Sequence, residues 1–221
     1  MDFFAFVEGP LLWIAFFTFI IGSLVRAALF LFVSREKDKI IYQHFSWKYV
    51  LATIGRWLLP LNKSVIKNPV FMILAYIFHF CLIVLPIWVY QHVIYWEISR
   101  FEWSWVSLPV GLADWMTLIF LAIALFFLVR RIVSPDIRLL STFSDYFLLI
   151  VTTLPFLTGY FSAHGTLDGI LFFKNNMQLL HILSGELMLI LIPFTKLSHF
   201  ILFFFSRSAT AIEFGRRGYS M

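Results

Sequence analysis

Charge and cysteine are scarce in this sequence. Only 13% of its 221 residues are charged, and a single cysteine, Cys81, stands inside an apolar run. The first scarcity excludes a soluble globular domain, in which about a quarter of the residues carry charge. The second excludes a disulfide framework, a thiolate-held iron–sulfur cluster and a Cys-x-x-Cys-His attachment of c-type haem, since none of these forms from one thiol. Internal repeats and low-complexity linkers are also missing, which argues against a solenoid and against transporters built from repeats.

What is abundant is apolar surface. Hydrophobic residues make up 61% of the chain and aromatics 20%, 28 of them phenylalanine, with a mean hydropathy of +0.89. A helix crosses a bilayer core with about 20 apolar residues. Five stretches meet that length: Pro10–Val33, Pro69–Tyr95, Leu112–Val129, Phe143–Phe161 and Met177–Phe205. The first follows Asp2 and Glu8 rather than a basic segment, so it reads as a retained helix and not a secretory signal. The expected fold is an all-α integral membrane protein, with residues 1–221 forming one transmembrane helical bundle.

Lysine and arginine are retained on the cytoplasmic side of a membrane. The first connection holds Arg35, Lys37, Lys39, Lys48, Arg56, Lys63 and Lys67, the third Arg130, Arg131 and Arg138, and the tail Arg207, Arg216 and Arg217. The second and fourth hold only Arg100 and Lys174. This predicts the N-terminus outside and the C-terminus in the cytoplasm of a bacterial inner membrane. The net charge of +5 is thereby accounted for by topology and lipid, and nucleic acid is not an expected partner. The first connection, about Ser34 to Asn68, mixes basic residues with Tyr42, Trp47, Tyr49 and Trp57, which suits an interfacial or partner-binding segment.

Histidine is the polar residue that matters within such spans, as a ligand, proton carrier or interhelical hydrogen-bonding group. His79, His181 and His199 lie within the predicted spans, His92 and His164 near external ends, and His44 in the cytoplasmic connection. In one straight helix, His181 and His199 leave the same face about 27 Å apart, because 18 residues make five turns. Each then needs a partner on a facing helix. The antiparallel second span offers His92 at the level of His181 and His79 at that of His199. Two stacked histidine pairs in a bundle suit two b-type haems. The second ring nitrogens then need acceptors, either neighbouring hydroxyls, with Ser184 and Thr195 as candidates, or freed backbone carbonyls of the helix, and Gly185 leaves room for a porphyrin. His79 and His92, however, are 13 apart and would face about 220° away from one another in a straight helix. Pro86, between them, is the expected device that brings His92 round, with His164 as the alternative partner of His181.

With these residues in place the chain resembles a known family. The motifs "IIGSLVR" ending at Arg26, "FH" at Phe78–His79, "RRIVSPDIR" ending at Arg138 and "HILSGELMLILIPFTKLSH" from His181 to His199 are similar to those of the nitrate reductase gamma-like dihaem cytochrome b subunits. The likeness is closer to the membrane subunits of the Hmc, Tmc and Dsr redox complexes of sulfate-reducing bacteria. The resemblance implies an inner haem b on His79 and His199 and an outer haem b on His181, with His92 as its second ligand. It also implies exchange of electrons with menaquinone or menaquinol near the outer haem. In the nitrate reductase pattern the second histidine comes ten positions after the first, where this chain has Val89, and a quinone-site lysine is missing from "SLPVGLADW".

Other polar residues follow from the same comparison. Arg26 is a candidate contact for a haem propionate, against lipid phosphate. Tyr90, Asp114 and His164 are the candidate quinone-site residues; Asp114 is equally read as an external N-cap of the third span. Implied partners are a cytoplasmic iron–sulfur subunit of heterodisulfide reductase type, a periplasmic multihaem cytochrome c and other membrane subunits. The competing readings are a haem conduit with no quinone site, a haem-free membrane anchor, and a transporter subunit. No catalytic residue is expected, the chain serving as the electron-transfer subunit of a larger oxidoreductase.

Overall fold

The computed structural model describes residues 2–59 and 63–219, without the side chains of Lys63 and Ser64. The Lys63 side chain, counted above among the basic residues, therefore lies outside the described residues. Helix makes up 83% of the chain, and no strand occurs among the described residues. The elements are α1 (Phe3–Lys37), α2 (Lys39–Gln43), α3 (Trp47–Leu58), α4 (Lys63–Lys67), α5 (Pro69–Trp88), α6 (Tyr90–Glu97), α7 (Val110–Val133), α8 (Pro135–Leu140), α9 (Phe143–His164), α10 (Leu171–Leu191) and α11 (His199–Gly215).

Four helical runs are long and apolar enough to cross a membrane: α1, α5 with α6, α7 and α9. The bent pair of α10 and Lys196–Gly215 makes a fifth. Their outward faces carry large apolar side chains such as Ile21, Leu24, Phe32, Ile83 and Leu125, all exposed. In lipid every backbone group must be paired within the protein, and a helix does this within its own segment. The chain is a multi-pass membrane protein.

The fifth span departs from the expected straight helix. Pro193 has no N–H to continue the ladder, and the Ile192 amide divides between the carbonyls of Met188 and Leu189 at 3.2 and 3.3 Å. Thr195 Oγ1 donates to the Leu191 carbonyl and accepts from the Leu197 amide, starting a 3₁₀ turn over Lys196–Ser198. The chain turns by 73° between the two helices. The straight helix on which the five-turn count between His181 and His199 rested is therefore interrupted at this proline.

The chain divides into two compact units, Leu74–Gly185 and Met1–Ile73 with Glu186–Met221. In the first, α5, α7 and α9 meet around Phe78, Phe120 and Phe156. Phe120 lies 4.5 Å from Phe78 and 4.0 Å from Phe156, ring centre to centre, with Cys81, Leu85, Met116, Ile123 and Ala124 filling the surround. Between lipid-embedded helices such contacts act through close packing rather than through exclusion of water. A capping box of Thr142 and Asp145 starts α9, and Gly165 ends it at φ 58°, which a glycine adopts without strain.

In the second unit, α11 packs against α1 and α3. Phe19 stacks on Phe200 at 5.8 Å and Phe30 meets Phe205 at 5.7 Å. The Arg207 guanidinium stands 3.8 Å from the centre of the Trp57 ring, a cation–π contact that fastens α3 to α11. Gly22 is needed where α1 meets the bend, since a Cβ there would come within 2.7 Å of Pro193 Cβ.

Candidate functional site

The break between α5 and α6 builds the first half of the site. Pro86 lacks the amide that would bond to Leu82, and three residues on Val89 turns extended, at ψ 134°. The last carbonyls of α5 then have no helical partner. All three are taken up: the Pro86 carbonyl accepts from His92 Nδ1 at 2.8 Å, Ile87 from Trp105 Nε1 at 2.9 Å, and Trp88 from the Leu108 amide at 2.8 Å. The proline thus fixes the His92 ring directly.

The second half comes from α9 and α10. His181 Nδ1 lies 2.9 Å from the Pro155 carbonyl. Its ring sits so close to α9 that a Cβ on Gly159 would lie 2.9 Å from Cε1. Thr158 Oγ1 and Ser184 Oγ lie 3.2 Å apart and tie the same two helices together, while Ser184 donates to the His181 carbonyl. Of the two acceptor types expected, the Ser184 hydroxyl therefore does not hold the imidazole and a backbone carbonyl does, from the neighbouring helix rather than from its own. A side chain on Gly185 would meet nothing.

These two rings come together. Their centres are 5.9 Å apart and their planes 20° from parallel. Because a backbone carbonyl engages Nδ1 of each, the Nε2 atoms are the nitrogens left for a ligand. His164, the alternative partner of His181, is committed elsewhere. Its Nε2 lies 3.0 Å from Asp114 Oδ1 and its ring 4.4 Å from that of Tyr160. Asp114 is not the N-cap of α7, a position held by Pro109; it stands in the helix and reaches across to α9. Tyr90 is exposed at the first residue of α6 and takes no part in that pair.

His79 and His199 belong to different units and are described separately. His79 Nδ1 lies 2.7 Å from the Ala75 carbonyl, and His199 Nδ1 2.9 Å from that of Lys196. Thr195, proposed from sequence to orient His199, caps the 3₁₀ turn instead. Arg26 extends to Ser198 Oγ at 3.5 Å, next to His199 in the chain. No group of three or more His, Cys, Asp or Glu side chains suited to a bare metal ion occurs among the described residues.

Gly159, Pro155 and Thr158 escaped sequence reasoning. Their signal is the run "PFLTG", which puts Pro155 and Gly159 one turn apart on a membrane helix, where small residues mark close approach. Glu186 was passed over as well, although it is an acid inside an apolar span.

The fold and site define an all-helical, multi-pass membrane protein with paired intramembrane histidines. The chain is similar to a protein of Nitratidesulfovibrio vulgaris, a sulfate reducer, at 32% identity over 221 residues, covering 97% of this chain and 95% of that one. It belongs to the same family as that protein. No family model matches the chain, and no solved structure matches it.

Proposed function

We propose that this chain is the membrane cytochrome b subunit of a multi-subunit respiratory complex in a bacterial inner membrane. It carries electrons through two b haems and exchanges them with menaquinone or menaquinol near the outer face. One observation carries the reading: the facing imidazoles of His92 and His181, each with Nδ1 tied to a backbone carbonyl. A haem iron held by both rings would need room between their two Nε2 atoms. The 5.9 Å separation and near-parallel planes fit that requirement.

On this reading His92 and His181 hold the outer haem through Nε2, and the resemblance assigns the inner one to His79 and His199, with Arg26 toward a propionate. Haem, when bound, supplies a one-electron site in a medium that admits no free charge. The carbonyls of Pro86 and Pro155 fix the tautomer and the orientation of each ring. Gly159 lets His181 approach α9. The Asp114–His164 pair supplies groups able to take up the protons that quinol oxidation releases, and Tyr90 offers a hydroxyl able to hydrogen-bond a quinone oxygen. N-terminus outside and C-terminus inside, the chain offers its basic first and third connections to a heterodisulfide reductase-like iron–sulfur subunit, and its other face to a multihaem cytochrome c.

Pyridine haemochrome analysis of the purified chain is expected to give two b haems, and His92→Ala and His181→Ala are expected to lose the same one. No haem, or loss of different haems, overturns the assignment. Haem reduction by a menaquinol analogue should be blocked by a quinone-site inhibitor; inhibitor-insensitive reduction favours a plain conduit.

A further inference from the structure

Glu186 is the one acid buried in an apolar span and left without a hydrogen-bond partner among the described residues. It is 2% exposed, and both its carboxyl oxygens lack a partner. It belongs to the unit of Met1–Ile73 and Glu186–Met221, where Pro193 presses on Gly22 of α1. Glu186 stands within α10, which ends at Leu191, before this contact. Seven residues before Gly22 stands Ala15, fully buried, and next to Gly22 stands Ser23, whose buried Oγ also lacks a partner. The charged and titratable groups along these elements are Glu8, Arg26, Arg35, Glu36 and Lys37 on α1 and Lys174 and His181 on α10, with Lys196 and His199 beyond the bend. Arg26 is directed to Ser198.

An ionised carboxylate without a partner is strongly disfavoured inside a membrane, and an ionisable residue retained there marks a proton or ion path. We propose that Glu186 is a proton-binding site of this subunit, loaded when the chain is reduced and emptied when it is oxidised. The redox part rests on the dihaem reading. When the chain gains one electron from a quinol, which is oxidised in turn, the Glu186 carboxylate binds one proton from water and becomes the neutral acid. On oxidation the added positive charge favours the carboxylate, the O–H bond breaks and the proton returns to water. Electron transfer across the membrane is thereby accompanied by a proton held within it.

Infrared difference spectroscopy on the purified complex tests this. A carboxylic C=O band that shifts in D2O should appear on acidification and on reduction, vanish in Glu186→Gln, and return at a changed frequency in Glu186→Asp. The pH dependence of a haem midpoint potential should weaken in Glu186→Gln at unchanged haem content. A Glu186→Gln spectrum identical to wild type overturns the site. A band that responds to pH but not to reduction overturns the coupling. Absence of haem counts against the proposed function, while the acidification spectrum still decides the proton site.

Discussion

Gly159 has no side chain, and the ring of His181 uses the space. Gly159→Ala puts a methyl within 2.9 Å of Cε1, so the ring or α9 must shift, at about 1–3 kcal/mol of overpacking. The expected outcome is loss of the haem that His181→Ala removes, with the other retained, read by low-temperature absorption spectra. Gly185→Ala, where a side chain meets nothing, should leave both unchanged. The histidines were legible because an imidazole in apolar sequence is conspicuous. Gly159 was not, because glycine is common in membrane helices and only a neighbour's position gives one of them a role. The partners of the Nδ1 atoms are backbone carbonyls, an acceptor type the sequence left open beside the hydroxyls; which carbonyls could not be read, because no residue type announces one.

At the scale of elements, the four spans other than the bent pair could be read from apolar length alone, with ends extended by a few residues, as for α7 at Val110–Val133 against the expected Leu112–Val129. The two proline sites were visible but their outcomes were not. Pro86 was given a kink and makes a full break at Val89; Pro193 was given no weight and turns the chain by 73°. What decides between a kink and a break is whether the freed carbonyls find other donors, and those come from distant sequence. Trp105 Nε1 is such a donor to Ile87, so Trp105→Phe strands a carbonyl. The expected cost is about 1–3 kcal/mol. It should appear as a lower unfolding temperature in detergent, together with a broadened absorption band for the haem bound by His92.

At the scale of the whole molecule, the basic residues predict which connections face the cytoplasm. The lone cysteine is buried, so a membrane-impermeant maleimide should report single introduced thiols cleanly. Ser104→Cys is expected to react in intact spheroplasts and Asp136→Cys only after permeabilisation; the reverse pattern would invert the topology. The connection that carries Ser104 does more than span two helices. Through Trp105 and Leu108 it closes the same broken turn whose remaining carbonyl orients His92. Loop and imidazole therefore share one short piece of backbone, like a handle and the latch it works. A partner that grips this loop acquires leverage on the ligand without touching it, and a protease that cuts between Trp105 and Leu108 would leave the helices standing while releasing the latch.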